Sequence, residues 1–127
     1  TYATTIETMA DTIAEKPEQV KCFVDGSIKG WYNYLYGDHS AADEMIMADN
    51  PEMTQDKIDY GIEKMLSEGI VVSGDAETLG IGSITDEKVG GFFQKMVDAG
   101  VTDSDIDWKS AYTNEFVNEK VGMDLKK

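Results

Sequence analysis

The feature that most constrains this chain is a stretch from about Pro17 to Tyr36, framed by a residue that opens helices and a pair that closes them. Pro fits the first turn of a helix, where its missing N–H costs nothing, and Gly37-Asp38 supplies the stop. Between them Val20, Phe23, Val24, Ser27, Ile28, Trp31 and Leu35 recur at helical spacing, which predicts one continuous inward stripe. Gly26 and Gly30 interrupt it, each costing about 1 kcal/mol relative to Ala, so the close approach of another element is expected there. Tyr32 and Tyr36 fall on another face, and the aromatic cluster Trp31, Tyr32, Tyr34 and Tyr36 reads as packing surface before it reads as a ligand platform.

The same grammar of caps and stops divides the rest. Thr4-Thr5-Ile6-Glu7 has the capping-box form, with Thr4 as N-cap and Glu7 reaching back, ahead of Ile6, Met9, Ala10 and Ile13 at helical spacing. This first helix should end at Lys16-Pro17. A third is expected over Ser40 to Asp49, with Ala42, Met45 and Ile46 inward and Asn50-Pro51 as the break. Thr54 caps a fourth with the stripe Ile58, Gly61, Ile62, Met65 and Leu66, closed by Gly69. Thr85 caps a fifth with Val89, Phe92, Phe93, Met96 and Val97 inward, closed by Gly100. Ile70-Val71-Val72 reads as a short strand, Gly74 to Gly82 as loop, and the tail as irregular apart from a helical turn near Ala111 and Tyr112. The expectation is a mainly α chain of five amphipathic helices with at most one or two short strands.

Three of these segments, taken in order, carry a family resemblance. They are Ala3-Thr4-Thr5-Ile6, leading to Ala14-Glu15-Lys16-Pro17-Glu18; the run Val20 to Trp31; and Asp107-Trp108 with Tyr112-Thr113-Asn114-Glu115-Phe116. The first two are similar to the pattern E-K-P-x-x-V-x-x-F-V-x-A-x-x-x-G-W, with Gly26 standing where the pattern has Ala. Over about Tyr2 to Asn118 the chain resembles the carboxy-terminal region of periplasmic substrate-binding proteins of ABC importers. The branch is that of nitrate, sulfonate and taurine binding and of thiamine-pyrimidine-precursor transport and synthesis. The resemblance implies the helical portion of one lobe of a two-lobed α/β binding protein of type II, whose lobes close on ligand by hinge motion. Residues 1–6 would form the crossover between lobes and 7–127 helices packed on the first lobe, with the remaining amino-terminal part supplying the β-layers. Tyr2, Thr4 and Thr5 are then the candidate ligand-binding residues, since crossing strands line the cleft; Thr4 and Thr5 acting only as helix caps is the competing expectation.

What the resemblance implies about function is capture of a small-molecule solute and its delivery to a membrane permease, in the periplasm or at the exported surface. It implies no catalysis and no cofactor, and a fragment that would swap or self-associate into a dimer. Two other readings stand beside it: part of a thiamine-pyrimidine-precursor biosynthetic enzyme on the same fold, and a stand-alone helical interaction module. The enzyme would need cofactor- or metal-binding motifs that these residues lack. The module would need the helical stripes to be covered by one another alone.

Charge narrows the partners independently. Twenty-five acidic residues stand against 11 lysines, with no arginine, for a net charge of -14. Such a chain repels phosphate backbones and anionic membranes, and its field favours neutral or cationic partners. No signal sequence is legible in TYATTIETMA. The remaining motifs have ordinary explanations. Asp103, Asp105 and Asp107 alternate like a calcium loop, but the required Gly and Glu positions hold Trp108 and Asn114, so a solvated acidic turn and no metal site are expected. Gly80-Ile81-Gly82 lacks the partners of a phosphate loop and reads as a turn. Asp38-His39-Ser40 reads as a helix-start cluster, because catalytic triads assemble from distant segments. Cys22, beside Phe23, is expected as a small buried hydrophobe.

Overall fold

The computed structural model describes Tyr2 and residues 4–126. Its helices are α1 (Ala10–Glu15), α2 (Pro17–Tyr36), α3 (Ser40–Asp49), α4 (Gln55–Ser67), α5 (Asp75–Leu79) and α6 (Asp86–Asp98), with 3-10 turns at Trp108–Ala111 and Met123–Leu125. The stop and start signals are obeyed closely. Pro17 occupies the first turn of α2 and Gly37 its C-terminal cap. Thr85 caps α6, its Oγ1 accepting from the Lys88 N–H. Gly69 and Gly100 end α4 and α6 with positive φ.

Three local expectations fail. α1 starts at Ala10 with Met9 as its cap, so Thr4 and Glu7 do not close a capping box; a short helix with no buried residue has too little packing to hold an extra turn. Ile70 to Val72 form a bend, and no strand occurs among the described residues. The stretch expected as plain loop contains α5 instead.

The core forms around one face of α2. Val24, Ile28, Tyr32 and Leu35 are buried there, joined by Ile81 from the Gly-rich segment and Phe116 from the tail. Tyr32 is the most enclosed large side chain, 1% exposed, and its hydroxyl accepts from the Ile81 N–H at 3.2 Å. That bond is what allows a phenol inside an apolar cluster, because an unpaired buried hydroxyl costs on the order of 1–3 kcal/mol. The cover over α2 is therefore irregular chain. Lys120 donates from its backbone to Leu79 O at 3.0 Å, and the Asn118 side chain clasps both backbone groups of Ile84, at 3.1 and 2.8 Å. Lys21 of α2 holds Glu119 of the tail at 2.6 Å. Gly122 sits against Tyr32 with φ 72°, where a Cβ would lie 2.9 Å from the ring, so the tail can cross α2 closely only at glycine.

The buried face is not the expected stripe. Phe23 is 65% exposed and Trp31 42%, and Cys22 is exposed as well, whereas Tyr32 is inside. The six apolar residues of that stripe cannot all face one thin cover, and the segment that crosses at Gly122 selects the Tyr32 side. Met45, at 69%, points away from the fold, and Asp43 is the buried residue of α3. In α4 Ile58 and Ile62 are buried but Leu66 is exposed. In α6 no residue is fully buried and Phe92 is exposed. Tyr32 and Tyr36 pack within this chain, against its own tail, and not on a separate layer.

Candidate functional site

The start of α6 gathers one of the three expected ligand residues. The Tyr2 hydroxyl accepts from the Thr85 N–H at 2.8 Å, and Lys88 Nζ lies 4.5 Å from the centre of its ring. Thr85 Oγ1 donates in turn to Asp75 Oδ2 at 3.1 Å. Tyr2 thus satisfies one of the free amides that every helix start leaves over. Lys88 also borders a hollow of about 430 Å³ walled by Gly74, Asp75, Glu87, Gly91, Phe92 and Lys95. Thr4 and Thr5 are exposed in irregular chain and are not brought to this hollow's wall. Ala3, the middle of the expected crossover, lies outside the described residues.

A second constellation joins α3 to α4. Asp38 does what a residue before a helix is expected to do: its Oδ1 accepts from the Ser40 N–H at 3.0 Å, and that bond holds its carboxyl below the usual range. His39 does more. Its Nδ1 lies 2.7 Å from Asp43 Oδ2, one turn along α3, and Gln55 at the start of α4 donates to the same oxygen at 2.8 Å and to Asp59 Oδ1 at 2.9 Å. The Asp43 side chain is only 3% exposed. The Gln55 amide, acting ahead of the opposing loss of hydration and then of His39, holds its pKa below the ordinary carboxylate value. An ionised carboxylate only accepts, so the proton between the two sits on Nδ1, and Nε2 is the ring nitrogen left free of that contact. Tyr34 packs its ring 5.5 Å from that of His39. Burial, then the Asp43 charge and then the approach of the hydroxyl to that carboxylate, push its pKa up.

Among the described residues Asp43 Oδ1 is the buried side-chain oxygen without a hydrogen-bond partner. Asp43 is one of the residues around a hollow of about 400 Å³ shared with Gly37, Asp38, His39, Ser40, Glu44, Met47 and Gln55, while Oδ1 itself is closed to solvent. The reading of Asp38-His39-Ser40 as a helix-start cluster holds for Asp38. It misses the pairing of His39 with Asp43, for which the four-residue spacing is a usable signal. Gln55 left no such signal, since its approach depends on how α4 folds back.

Elsewhere the acidic turn is as expected: Asp103, Asp105 and Asp107 are exposed, with a 3-10 turn beginning at Trp108. Among the described residues no group of three or more His, Cys, Asp or Glu side chains is disposed to hold a metal ion, and no helix is long and apolar enough to cross a membrane. No protein-family model matches the chain, and no curated protein or solved structure matches it.

Proposed function

We propose that this chain is the carboxy-terminal helical segment of a substrate-binding protein of a bacterial ABC importer. In this reading it captures a small-molecule solute outside the cytoplasm, presents it to the membrane permease and catalyses nothing. The observation that carries the reading is the outward face of α2. Phe23, Gly26, Ser27, Gly30 and Trp31 follow one another at helical spacing, and both large side chains are exposed. A Cβ placed on Gly26 or Gly30 would meet nothing within 4 Å. Two interior glycines cost a helix about 1 kcal/mol each, and nothing in the described chain offsets that cost. A β-layer drawn close over the glycines would do so while covering Phe23 and Trp31, as helices pack on sheets in two-layer domains. The occupant is therefore taken to be the amino-terminal β-layers of the same protein, with Tyr2, Thr4 and Thr5 approaching the cleft.

The decisive experiment uses the isolated 127-residue chain. Light scattering after gel filtration, together with binding of an apolar-surface dye, should give dye uptake and self-association, including a swapped dimer. A dye-silent, well-packed monomer would overturn the proposal in favour of an autonomous helical module. Recovery of the upstream coding sequence should give a signal peptide and two βαβ-type segments; a stop codon followed directly by a native start would contradict it.

A further inference from the structure

Residues 85–115 are tied to one another far better than to the core. Trp108 lies on Gly90 of α6, between the rings of Phe93 and Tyr112, and Tyr112 and Asn114 both reach Asp86. Among the described residues none of this stretch belongs to the apolar cluster around Tyr32, or to the side chains packed against it. α6 packs chiefly on the 3-10 turn at Trp108–Ala111, which is part of the same stretch. The side-chain hydrogen bonds that leave it, among the described residues, are both made by Thr85, to Tyr2 and to Asp75. The chain enters by Ile84 and leaves by Asn118, and these two residues hold each other. Asn118 Oδ1 accepts from the Ile84 N–H at 3.1 Å, and Asn118 Nδ2 donates to the Ile84 carbonyl at 2.8 Å. Asn118 takes a φ of 67°, a left-handed conformation that Asn tolerates better than most residues. Units joined without a shared apolar interface move relative to each other by default.

We infer that residues 85–115 form an arm that turns on this two-stranded neck, pinned at Asn118, and that its turning opens and closes the hollow of about 430 Å³ between α5 and α6. The hollow is built from both units. Gly74 and Asp75, at the start of α5, stand on the side of the body, and Gly91, Phe92 and Lys95 stand on the arm. The bond from Thr85 to Asp75 spans the two units beside the neck and sets the present width. Tyr2 adds a second tie, through the Thr85 amide and the Lys88 ammonium. Single hydrogen bonds at half-buried positions shift a population only several-fold, so these ties hold the arm without locking it. The motion lies within this chain and does not depend on what covers α2.

The test is a distance measurement across the neck in the full chain. Cys22, exposed on α2, takes one spin label, and Gln94→Cys, exposed on α6, takes the other. Dilution into unlabelled chain removes distances between copies, and pulsed electron–electron double resonance then reads the distribution. The parent should show one main distance and a minor second one. Asn118→Gly keeps the left-handed backbone and removes the pin, and should raise the second population about tenfold. Asp75→Ala removes the tie beside the neck and should raise it about threefold. A pair inside the body, Cys22 with Glu63→Cys on α4, should stay narrow throughout. A Cys22–Gln94→Cys distance that stays single and unchanged in the parent and both variants overturns the inference. Equal broadening of the Cys22–Glu63→Cys pair overturns it too, because the whole fold would then have loosened and no arm would have turned.

Discussion

α2 and α6 carry the same kind of message in sequence and meet different fates. Both are amphipathic, both are bounded by clear start and stop residues, and both offer four or more apolar side chains to one side. α2 buries Val24, Ile28, Tyr32 and Leu35, whereas α6 buries no residue fully. The difference lies in what comes to meet them. α2 is crossed by the Gly-rich segment and by the tail, which deliver Ile81 and Phe116. α6 receives chiefly one aromatic stack: Trp108 lies over Gly90, where a Cβ would come within 3.0 Å of the ring, and stacks on Phe93 and Tyr112 at 6.2 and 6.1 Å. Periodicity says that a helix has an apolar face. Whether that face is covered depends on segments with no periodicity of their own.

The contrast is open to direct attack. Its largest expected effect is at Tyr32→Ala, which empties a buried site and orphans the Ile81 N–H; urea unfolding should register a loss of about 3–5 kcal/mol. Phe93→Ala, on the half-covered α6, should lose about half of that or less. Equal losses would erase the distinction between the two helices. Next is Gly122→Ala, which adds a Cβ 2.9 Å from the Tyr32 ring at a positive φ and should cost about 2 kcal/mol by the same assay. A neutral result would mean that the tail does not seal α2.

Smaller and opposite in sign, Gly26→Ala and Gly30→Ala should each stabilise the isolated chain by about 1 kcal/mol, because their face is open. If the proposed amino-terminal β-layers cover this face, the same changes should weaken assembly with them, measured by co-purification of the two parts. Stabilisation without any loss of assembly would leave the α2 face unused.

The smallest effect sharpens the α6 side through its pH dependence. Tyr112 donates to Asp86 Oδ1 at 2.6 Å, and that bond pushes its pKa up to about 12. A pKa raised in the folded state stabilises fully below the ordinary tyrosine value. This contribution is lost as pH climbs through the interval up to about 12. Absorbance titration at alkaline pH should find a tyrosine that titrates at about 12, and Asp86→Asn should bring that one back toward the ordinary value while leaving the raised Tyr34 where it is.

Helix limits were legible because they are written in single residues with local consequences. Pro17, Gly37, Thr54, Thr85 and Gly100 act on the turn they occupy, whatever the rest of the chain does. The capping box at Thr4 to Glu7 shows where that reasoning stops: caps help a helix that packing already favours, and α1 buries nothing. The candidate site was half legible. His39 and Asp43 stand at a spacing that predicts their contact, while Gln55 arrives from another helix, and no local pattern announces it.

What the sequence determined by itself, then, was five of the six α-helices, most of their ends, and a strongly acidic character. What only the tertiary structure decided was which face of each helix is inside. Apolar residues surround much of α2, so propensity and periodicity leave several faces nearly equal. The choice fell to a close crossing at Gly122 and a hydrogen bond from Ile81 to Tyr32, both made between residues far apart in the chain. Burial is a property of two surfaces, and the sequence of one helix describes only the first.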